Sequence, residues 1–410
     1  MSKRRIPIWL VLVVLAPGLL LAFIGGLWAY MRFTAWPLHP DPLDVPSVTH
    51  SAPSPEWADA VERGRQIMRA TLTERNLPGL SVAVGVSGET VWAEGFGWAD
   101  LENRVKVTPD TRFKIGMASK VLTAAAVGLL LEQDGLNLDD EIQTYVPEYR
   151  KQPWPVTLRQ LMGHLSGVRT DEGDEGPLSE HCEETLEGLR LFAERPLWFA
   201  PGTGYRYSNY GWILVSAAVE AAADEPFLRF MRTEVFEPLG MTGTMADSAT
   251  ESIPDRAAFY FPRFAADTRY GEDGARLVDY SCFAGSGAFL STPSDLVRFG
   301  MAIESGRLLK PDTVQLLQTS QRLPSGEETG YGLGWDLETV MLAGEPTRTA
   351  GHDGHVMGGM VVSFLTFPEH GIVVAVTSNI AWADTFSLAV DVAQAFIDVR
   401  AAGDRSRTCA

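Results

Sequence analysis

Lys120 is a charged residue in a mostly apolar stretch, and the residue three positions before it is Met117. The apolar pattern around Lys120 predicts a buried helix that begins near Met117 and ends at Gly135. A buried lysine is costly unless it is paired, so Lys120 needs a hydrogen-bonding or chemical role. At about 100° per residue, positions 117 and 120 lie about 60° apart, so Lys120 reaches whatever position 117 presents.

No hydroxyl stands where Lys120 could activate it directly. The thioether of Met117 has no proton to lose and cannot form an ester intermediate. Ser119 lies about 160° from position 117 on the helix, so we expect it to pack or hydrogen-bond within the domain. The lysine is therefore present without an evident nucleophile.

Tyr207, Ser208 and Asn209 are the second group of polar residues suited to chemistry. In an extended segment the side chains at positions i and i+2 point to the same side. Tyr207 and Asn209 are therefore expected to enter a cleft together, while Ser208 turns away.

A third group contains His352, Asp353, Gly354 and His355. Two histidines three residues apart with one acid are weak grounds for a metal site, so we predict no metal. His164, which lies between these groups in the sequence, is interpreted as a structural histidine.

Together these residues resemble the serine β-lactamase and penicillin-binding-protein superfamily. Met117-x-x-Lys120 is similar to its Ser-x-x-Lys motif, with methionine in place of the acylated serine. Tyr207-Ser208-Asn209 looks like its Tyr-x-Asn element, and His352-Asp353-Gly354 resembles the His-Thr-Gly of many members. Further matching segments are His164–Gly167, Pro238–Met241, Tyr331–Trp335 and the stretch from Trp92 to Glu148. That last stretch is most similar to the branch with the mitochondrial β-lactamase-like serine protease, whose members can form filaments.

The resemblance implies a role for each matching residue. It implies that Lys120 lowers the nucleophile's barrier, that Tyr207 takes part in proton transfer and that Asn209 holds the substrate amide. It places His352 in the catalytic group, and Asp353 and Gly354 among the substrate-binding residues. The oxyanion hole would use the backbone N–H groups of Met117 and His355.

Asp353 is a second departure from the family pattern. Relatives usually carry a hydroxyl residue there, which helps to hold a substrate carboxylate. An ionised aspartate would repel such a carboxylate. We therefore expect the substitutions at positions 117 and 353 to act against the same function.

Three functions follow from these residues. The first is a catalytically silenced member that keeps a ligand-binding cleft. The second is an active amide or ester hydrolase (peptidase, esterase or β-lactamase) working through an acyl-enzyme, if position 117 is natively serine. The third is a filament-forming structural membrane protein.

The predicted fold class is α+β (α/β multidomain). Strand patterns at Leu80–Val86, Thr90–Phe96, Met360–Phe367 and Ile372–Thr377 flank a mainly helical middle. We therefore predict one antiparallel sheet assembled from both chain ends, with a helical insertion. The predicted divisions are a terminus (1–5), an apolar span (6–31), a linker (32–56), the main domain (57–401) and a polar tail (402–410).

Residues Ile6 to Met31 are 26 consecutive uncharged residues preceded by Lys3-Arg4-Arg5. About 20 apolar residues suffice to cross a bilayer, and the basic residues predict a cytoplasmic N-terminus. The main domain would then be periplasmic or otherwise extracytoplasmic. A cleaved signal peptide is the alternative, since Pro17 and Gly25-Gly26 weaken the helix.

Composition limits the partners. The net charge of −18 disfavours nucleic acid, which needs clustered Lys and Arg. We predict a small-molecule or peptide ligand, a membrane contact through residues 6–31, no cofactor, and a homo-oligomer or filament as an open alternative. A Cys182–Cys282 bridge is chemically permitted outside the cytoplasm, and the sequence leaves it open.

Overall fold

The computed structural model describes residues 8–170, 180–274 and 278–408 of the 410-residue chain. In that part of the chain the α-helices are α1 (Ile8–Thr34), α2 (Ala58–Arg75), α3 (Ser119–Glu132), α4 (Leu158–Met162), α5 (Asn209–Ala223), α6 (Phe227–Phe230), α7 (Ala284–Gly287), α8 (Pro293–Glu304), α9 (Pro311–Leu317) and α10 (Thr385–Thr408). The strands are β1 (Ser47–Thr49), β2 (Gly79–Val86), β3 (Glu89–Asp100), β4 (Val105–Lys106), β5 (Phe113–Lys114), β6 (Met245–Ala246), β7 (Phe261–Pro262), β8 (Glu272–Asp273), β9 (Phe289–Ser291), β10 (Asp336–Leu342), β11 (Glu345–Val356), β12 (Gly359–Phe367) and β13 (Ile372–Ser378).

The central sheet joins the two ends of the chain. Its order is β1-β3-β2-β13-β12-β11-β10, with β4 also paired to β3, and its neighbouring strands are antiparallel. The N-terminal hairpin thus pairs with the C-terminal meander through β2 and β13, as the sequence predicts. Two smaller sheets, β5-β9-β6 and β7-β8, accompany the helical insertion.

Apolar side chains on the two faces of the central sheet form two separate cores. Val82 and Val84 pack with α2 and α10 on one face, where α10 contributes Val392 and Phe396. Ala83 faces the other side, in the core that holds α3, α5 and α8. Successive side chains of a strand point to opposite faces, so each strand serves both cores. The second core carries the candidate site.

The predicted helix starts and ends are close to the observed ones. A 3-10 turn at Gly116–Ala118 precedes α3, and α3 ends at Glu132, three residues before Gly135. Thr292 caps α8, because its side chain accepts from the Asp295 N–H.

The structure adds secondary structure to two of the predicted divisions. The expected linker 32–56 contains β1, which pairs with β3 at the sheet edge, and Leu38 N–H donates to Asn76 Oδ1 at 2.7 Å. This segment therefore runs along the domain instead of separating it from α1. The polar tail 402–410 is helical as far as Thr408, because α10 continues beyond the predicted end of the domain. Its last two residues lie outside the described ranges.

The C-terminal end of helix α1 contacts the main domain. Trp28 Nε1 donates to Tyr270 Oη at 3.0 Å, and the Arg263 guanidinium donates to Thr34 Oγ1 at 2.6 Å. Within the described residues, one segment, Leu15–Thr34, is long and apolar enough to cross a membrane, and none of it is buried in the protein.

The structure also settles the geometry of the open cysteine pair. Cys182 and Cys282 form a disulfide that closes a loop of 100 residues. It fastens the segment before Thr185–Leu191 to the short turn that leads into α7.

Candidate active site

The turn before α3 brings position 117 against the edge of β11. Gly116 has φ +48°, and a Cβ there would lie 2.1 Å from the His355 carbonyl oxygen. A side chain at Gly354 would likewise meet the Ile115 carbonyl at 2.0 Å. These glycines allow the two backbones to touch, so the start of α3 and the His352–His355 segment share one site.

Lys120 lies at the centre of this site and is fully buried. Its Nζ donates to Tyr207 Oη at 2.5 Å and to Asn209 Oδ1 at 2.6 Å. The predicted convergence of Tyr207 and Asn209 is therefore observed. These bonds provide part of the pairing that a buried lysine requires.

Ser208 explains why its two neighbours point the same way. It is extended (φ −146°, ψ 118°), and its Oγ accepts from the Gly211 N–H as the N-cap of α5. Ser208 therefore turns away from Lys120, as expected. The cap fixes the register of the helix and with it the position of Asn209.

Met117 is 3% exposed and belongs to the apolar core. Its sulfur lies beside Gly287, since a Cβ on that glycine would be 3.6 Å from Sδ. Ser119 is also buried, and its Oγ has no hydrogen-bond partner within the described residues. The residue at position 117 is thus a packed thioether next to a polar lysine cluster.

His164 forms one wall of the site. Its Nδ1 accepts from the Ser208 N–H at 3.1 Å, and its ring lies 4.2 Å from that of Tyr207 and 4.6 Å from that of Tyr331. Burial, followed by the charges of Lys120 and His352, lowers the pKa of His164 well below its usual value. A neutral imidazole that accepts at Nδ1 agrees with the predicted structural role.

His352 reaches the same site from β11. Its Nε2 lies 3.0 Å from Tyr331 Oη, and its ring lies 6.2 Å from that of Tyr207. Burial and the Lys120 charge lower the pKa of His352 to about 3, so the imidazole is neutral at physiological pH.

Sequence reasoning missed two residues of this network. Tyr331 lies between His164 and His352, and the Asp336 carboxylate is 3.5 Å from His352 Nδ1. Burial raises the pKa of Asp336 to about 6. The Tyr331–Trp335 motif was the available signal, because it was recognised as a family segment but given no site role.

Asp353 is not part of the Lys120 cluster, contrary to expectation. Its carboxylate accepts from the Ser363 hydroxyl at 2.5 Å, and Ser363 contacts Thr385 at the start of α10. Because adjacent strand residues alternate, Asp353 faces the α10 side of β11 while His352 faces Lys120. Burial raises the pKa of Asp353 to about 7, with further contributions from nearby acids. The prediction that substitutions at 117 and 353 act together therefore loses its geometric basis.

The two residues of the predicted oxyanion hole, Met117 and His355, lie on neighbouring backbone segments. The pairing register of β11 with β12 shifts between Gly354 and His355, and this bulge places His355 beside Gly116. The backbones of positions 117 and 355 are therefore neighbours. Their joint use as donors remains a prediction. Within the described residues, no group of three metal-ligating side chains has metal-site geometry.

Lys120 and its partners are suited to proton transfer, and the side chain at position 117 is a thioether. Lys120 and Tyr207 form a hydrogen-bonded pair suited to general acid–base work. Acyl transfer through this pair would require a hydroxyl or thiol at position 117, and that position holds a thioether.

Residues 65–394 match the family model described as Beta-lactamase. The chain belongs to the beta-lactamase family. The match covers both the sheet and the helical insertion, so it includes Lys120, Tyr207, Asn209 and His352. This is a serine-hydrolase-related family, in agreement with the resemblance drawn from the motifs.

Individual relatives agree with this assignment. The chain is 28% identical to the human "Serine beta-lactamase-like protein LACTB, mitochondrial", covering 83% of this chain and 80% of the relative. It is 25% identical to "Penicillin-binding protein 4*" of Bacillus subtilis (strain 168), over 70% of this chain and 65% of the relative.

Solved structures share the fold. The octameric penicillin-binding protein homologue from Pyrococcus abyssi superposes with a TM-score of 0.70 at 24% identity, covering 82% of this chain and 77% of that one. The D-amino acid amidase from Ochrobactrum anthropi SV3, complexed with L-phenylalanine amide, gives a TM-score of 0.69 at 21% identity, with 83% and 100% coverage.

Proposed function

We propose that this chain is a membrane-anchored member of the beta-lactamase family that binds a ligand beside Lys120 without forming an acyl-enzyme. The observation that carries this proposal is the contrast within one helical turn. Lys120 is held by Tyr207 and Asn209, whereas position 117 presents a buried thioether. The polar half of an acyl-transfer site is retained, and the nucleophile is missing.

Ser119 does not replace that nucleophile in this proposal. It lies about 160° from position 117 around the helix, and its hydroxyl is buried. The helix would have to rotate about its axis before this hydroxyl could reach both Lys120 and an incoming carbonyl.

The proposed ligand is a small molecule or a peptide. Tyr207 and His355 are both half-buried, which supports a ligand that enters between α5 and β11. The Asn209 amide and Tyr207 hydroxyl offer the hydrogen-bonding groups with which a peptide or amide would be recognised.

We further propose that α1 anchors the protein in a membrane with its N-terminus cytoplasmic and the main domain on the other side. The span Leu15–Thr34 is apolar and exposed, and its contacts through Trp28 and Thr34 bring the domain close to the bilayer surface. Carbonate extraction of the full-length chain tests this: retention in the membrane pellet supports it, and full release contradicts it.

A homo-oligomer is part of the proposal because the Pyrococcus abyssi protein of the same fold is octameric. Light scattering on the detergent-solubilised chain distinguishes an oligomer from a monomer. A stable oligomer that survives Tyr207→Phe supports assembly, and a monodisperse monomer contradicts it.

Turnover assays test the loss of chemistry. The full-length chain should hydrolyse neither a chromogenic cephalosporin nor a p-nitrophenyl ester above the background of heat-denatured protein. Turnover that is abolished by Lys120→Ala would instead support the alternative, an active serine hydrolase using another residue. Gain of turnover in Met117→Ser would indicate that the rest of the site survives.

A further inference from the structure

Two arginines meet one tryptophan beside the Tyr207 segment. The Arg169 guanidinium carbon lies 4.1 Å from the centre of the Trp198 ring, and that of Arg206 lies 4.5 Å from it. Arg206 immediately precedes Tyr207, whose hydroxyl contacts Lys120. The Arg169–Trp198–Arg206 cluster thus adjoins the candidate active site.

Backbone hydrogen bonds hold this cluster in place. Trp198 N–H donates to Gly167 O at 2.7 Å, and Arg206 N–H donates to His164 O at 2.9 Å. Both bonds tie the cluster to the His164–Gly167 segment that lines the Lys120 site. The arginines are therefore carried by the same framework as Tyr207 and His164.

Among the described residues, no carboxylate pairs with either of the two arginines. Within the described residues, neither guanidinium forms an ion pair or donates a hydrogen bond, and the buried Nε of Arg169 has no acceptor. Other arginines of the chain do pair, such as Arg159 with Asp139. In a protein with a net charge of −18, two adjacent guanidinium groups without an ion pair to any described residue are a specific feature.

We infer that the Arg169–Trp198–Arg206 cluster is a binding site for an oxyanion, either a carboxylate or a phosphate, on a ligand with a flat apolar part. Planar guanidinium groups bind such oxyanions through paired hydrogen bonds. Trp198 is 38% exposed and so is Tyr205, which gives the apolar part of the ligand two aromatic surfaces. This inference rests on the proposed function, because the ligand would extend from the cluster across Tyr207 toward Lys120.

Binding of simple aryl oxyanions to the full-length chain tests the site. Benzoate and phenylphosphate are titrated by calorimetry, with benzamide as the neutral isostere of benzoate. We expect at least one oxyanion to bind at least about tenfold more tightly than benzamide, since hydrogen bonds to charged groups are the strong ones. The preferred oxyanion distinguishes a carboxylate ligand from a phosphate ligand. Higher salt should weaken that binding.

Variants assign the binding to the cluster. Arg169→Gln and Arg206→Gln should each weaken oxyanion binding by about tenfold. Arg206→Lys keeps the charge without the planar fork and should fall between the parent and Arg206→Gln. Arg229→Gln is the matched control, because Arg229 is exposed and pairs with Glu225, and it should leave binding unchanged. Thermal melts identify any variant that fails to fold.

Three results would overturn the inference. One is equal binding of benzoate, phenylphosphate and benzamide. Another is an equal loss in Arg229→Gln. The third is oxyanion binding only after Asp171, Glu172, Asp174 and Glu175, which lie outside the described residues, are changed to their amides. None of these results depends on turnover, so the site can fail while the proposed loss of acyl transfer stands.

Discussion

At the scale of single residues, the account depends on how a buried lysine is satisfied. Tyr207 and Asn209 accept hydrogen bonds from the buried Lys120 at 2.5 and 2.6 Å and so provide part of the pairing that replaces water. Removing one partner from a buried charge is expensive, whereas replacing the whole pair by apolar groups is often tolerated. This asymmetry separates a retained polar site from ordinary packing.

Asn209→Leu should therefore destabilise the fold by about 1–3 kcal/mol, because it removes an acceptor from the Lys120 ammonium. Lys120→Met in the same background should recover part of that loss. Chemical denaturation of the two single variants and the double variant measures the coupling. Asn103→Ala, which removes an exposed bond to Asp100, is the control. Strict additivity of Asn209→Leu and Lys120→Met would contradict the direct contact.

A second residue-scale prediction concerns pH. The pKa of Asp353 is raised to about 7 in the folded protein, mainly by burial. The folded state therefore holds a proton that the unfolded state releases near its ordinary value, so this group's contribution to stability is lost as pH rises toward and through about 7. Asp353→Asn removes that dependence.

The free energy of unfolding of Asp353→Asn, relative to the parent, should increase from pH 4 to pH 8. Denaturant titrations across that range measure the difference, which cancels the opposite dependence of the neutral histidines His164 and His352. Asp312→Asn, a substitution in the first turn of α9, is the control. A difference that is constant with pH would contradict the raised pKa.

At the scale of elements, one cap and one turn position the site. Ser208 begins α5 and so places Asn209, while the Gly116 turn begins the approach to α3 and touches β11. Neither Ser208 nor Gly116 contributes a side chain to the chemistry. Both determine where the reactive groups meet.

Ser208→Ala should cost about 1 kcal/mol through loss of the cap on the Gly211 N–H, and Ser208→Gly only a few tenths. The comparison is made by denaturant unfolding. Because the cap fixes the first turn of α5, the alanine variant should also weaken ligand binding near Asn209. Equal stability of the alanine variant and the parent would indicate that the cap does not hold the helix.

The elements also mark what the sequence could predict. The strand patterns in the sequence predict both hairpins, because the alternation of apolar and polar residues is a local property. The sequence also predicts that Tyr207 and Asn209 point to the same side, because the direction of side chains at positions i and i+2 depends only on the local backbone. Asp336 escaped prediction, since its partner His352 is fixed only when β10 pairs with β11. The face of β11 on which Asp353 lies follows from strand alternation and not from its place in the motif. The strand β1 within residues 32–56 is recognisable only through its pairing with β3.

At the scale of the whole molecule, the disulfide joins distant parts of the helical insertion. Cys182 and Cys282 close a 100-residue loop that includes α5 and the two residues that accept hydrogen bonds from Lys120, Tyr207 and Asn209. Such a cross-link mainly restricts the unfolded chain, and its effect grows with loop length. It also agrees with a main domain that lies outside reducing compartments.

Replacing both Cys182 and Cys282 by alanine should lower the free energy of unfolding by about 2–5 kcal/mol. Denaturation under oxidising and reducing conditions measures this loss. Reductant should lower the free energy of unfolding of the parent to about that of the variant. It should leave the stability of the variant unchanged. No effect of reductant on the parent would contradict the bridge.

Covalent labelling measures whether the chain can be acylated beside Lys120. The full-length protein is incubated with an excess of a fluorophosphonate probe, and adducts are counted by intact-mass spectrometry. We predict no adduct on the parent, one adduct on Met117→Ser, and loss of that adduct when Lys120→Ala is added. One adduct per parent chain, removed by Lys120→Ala, would contradict the account.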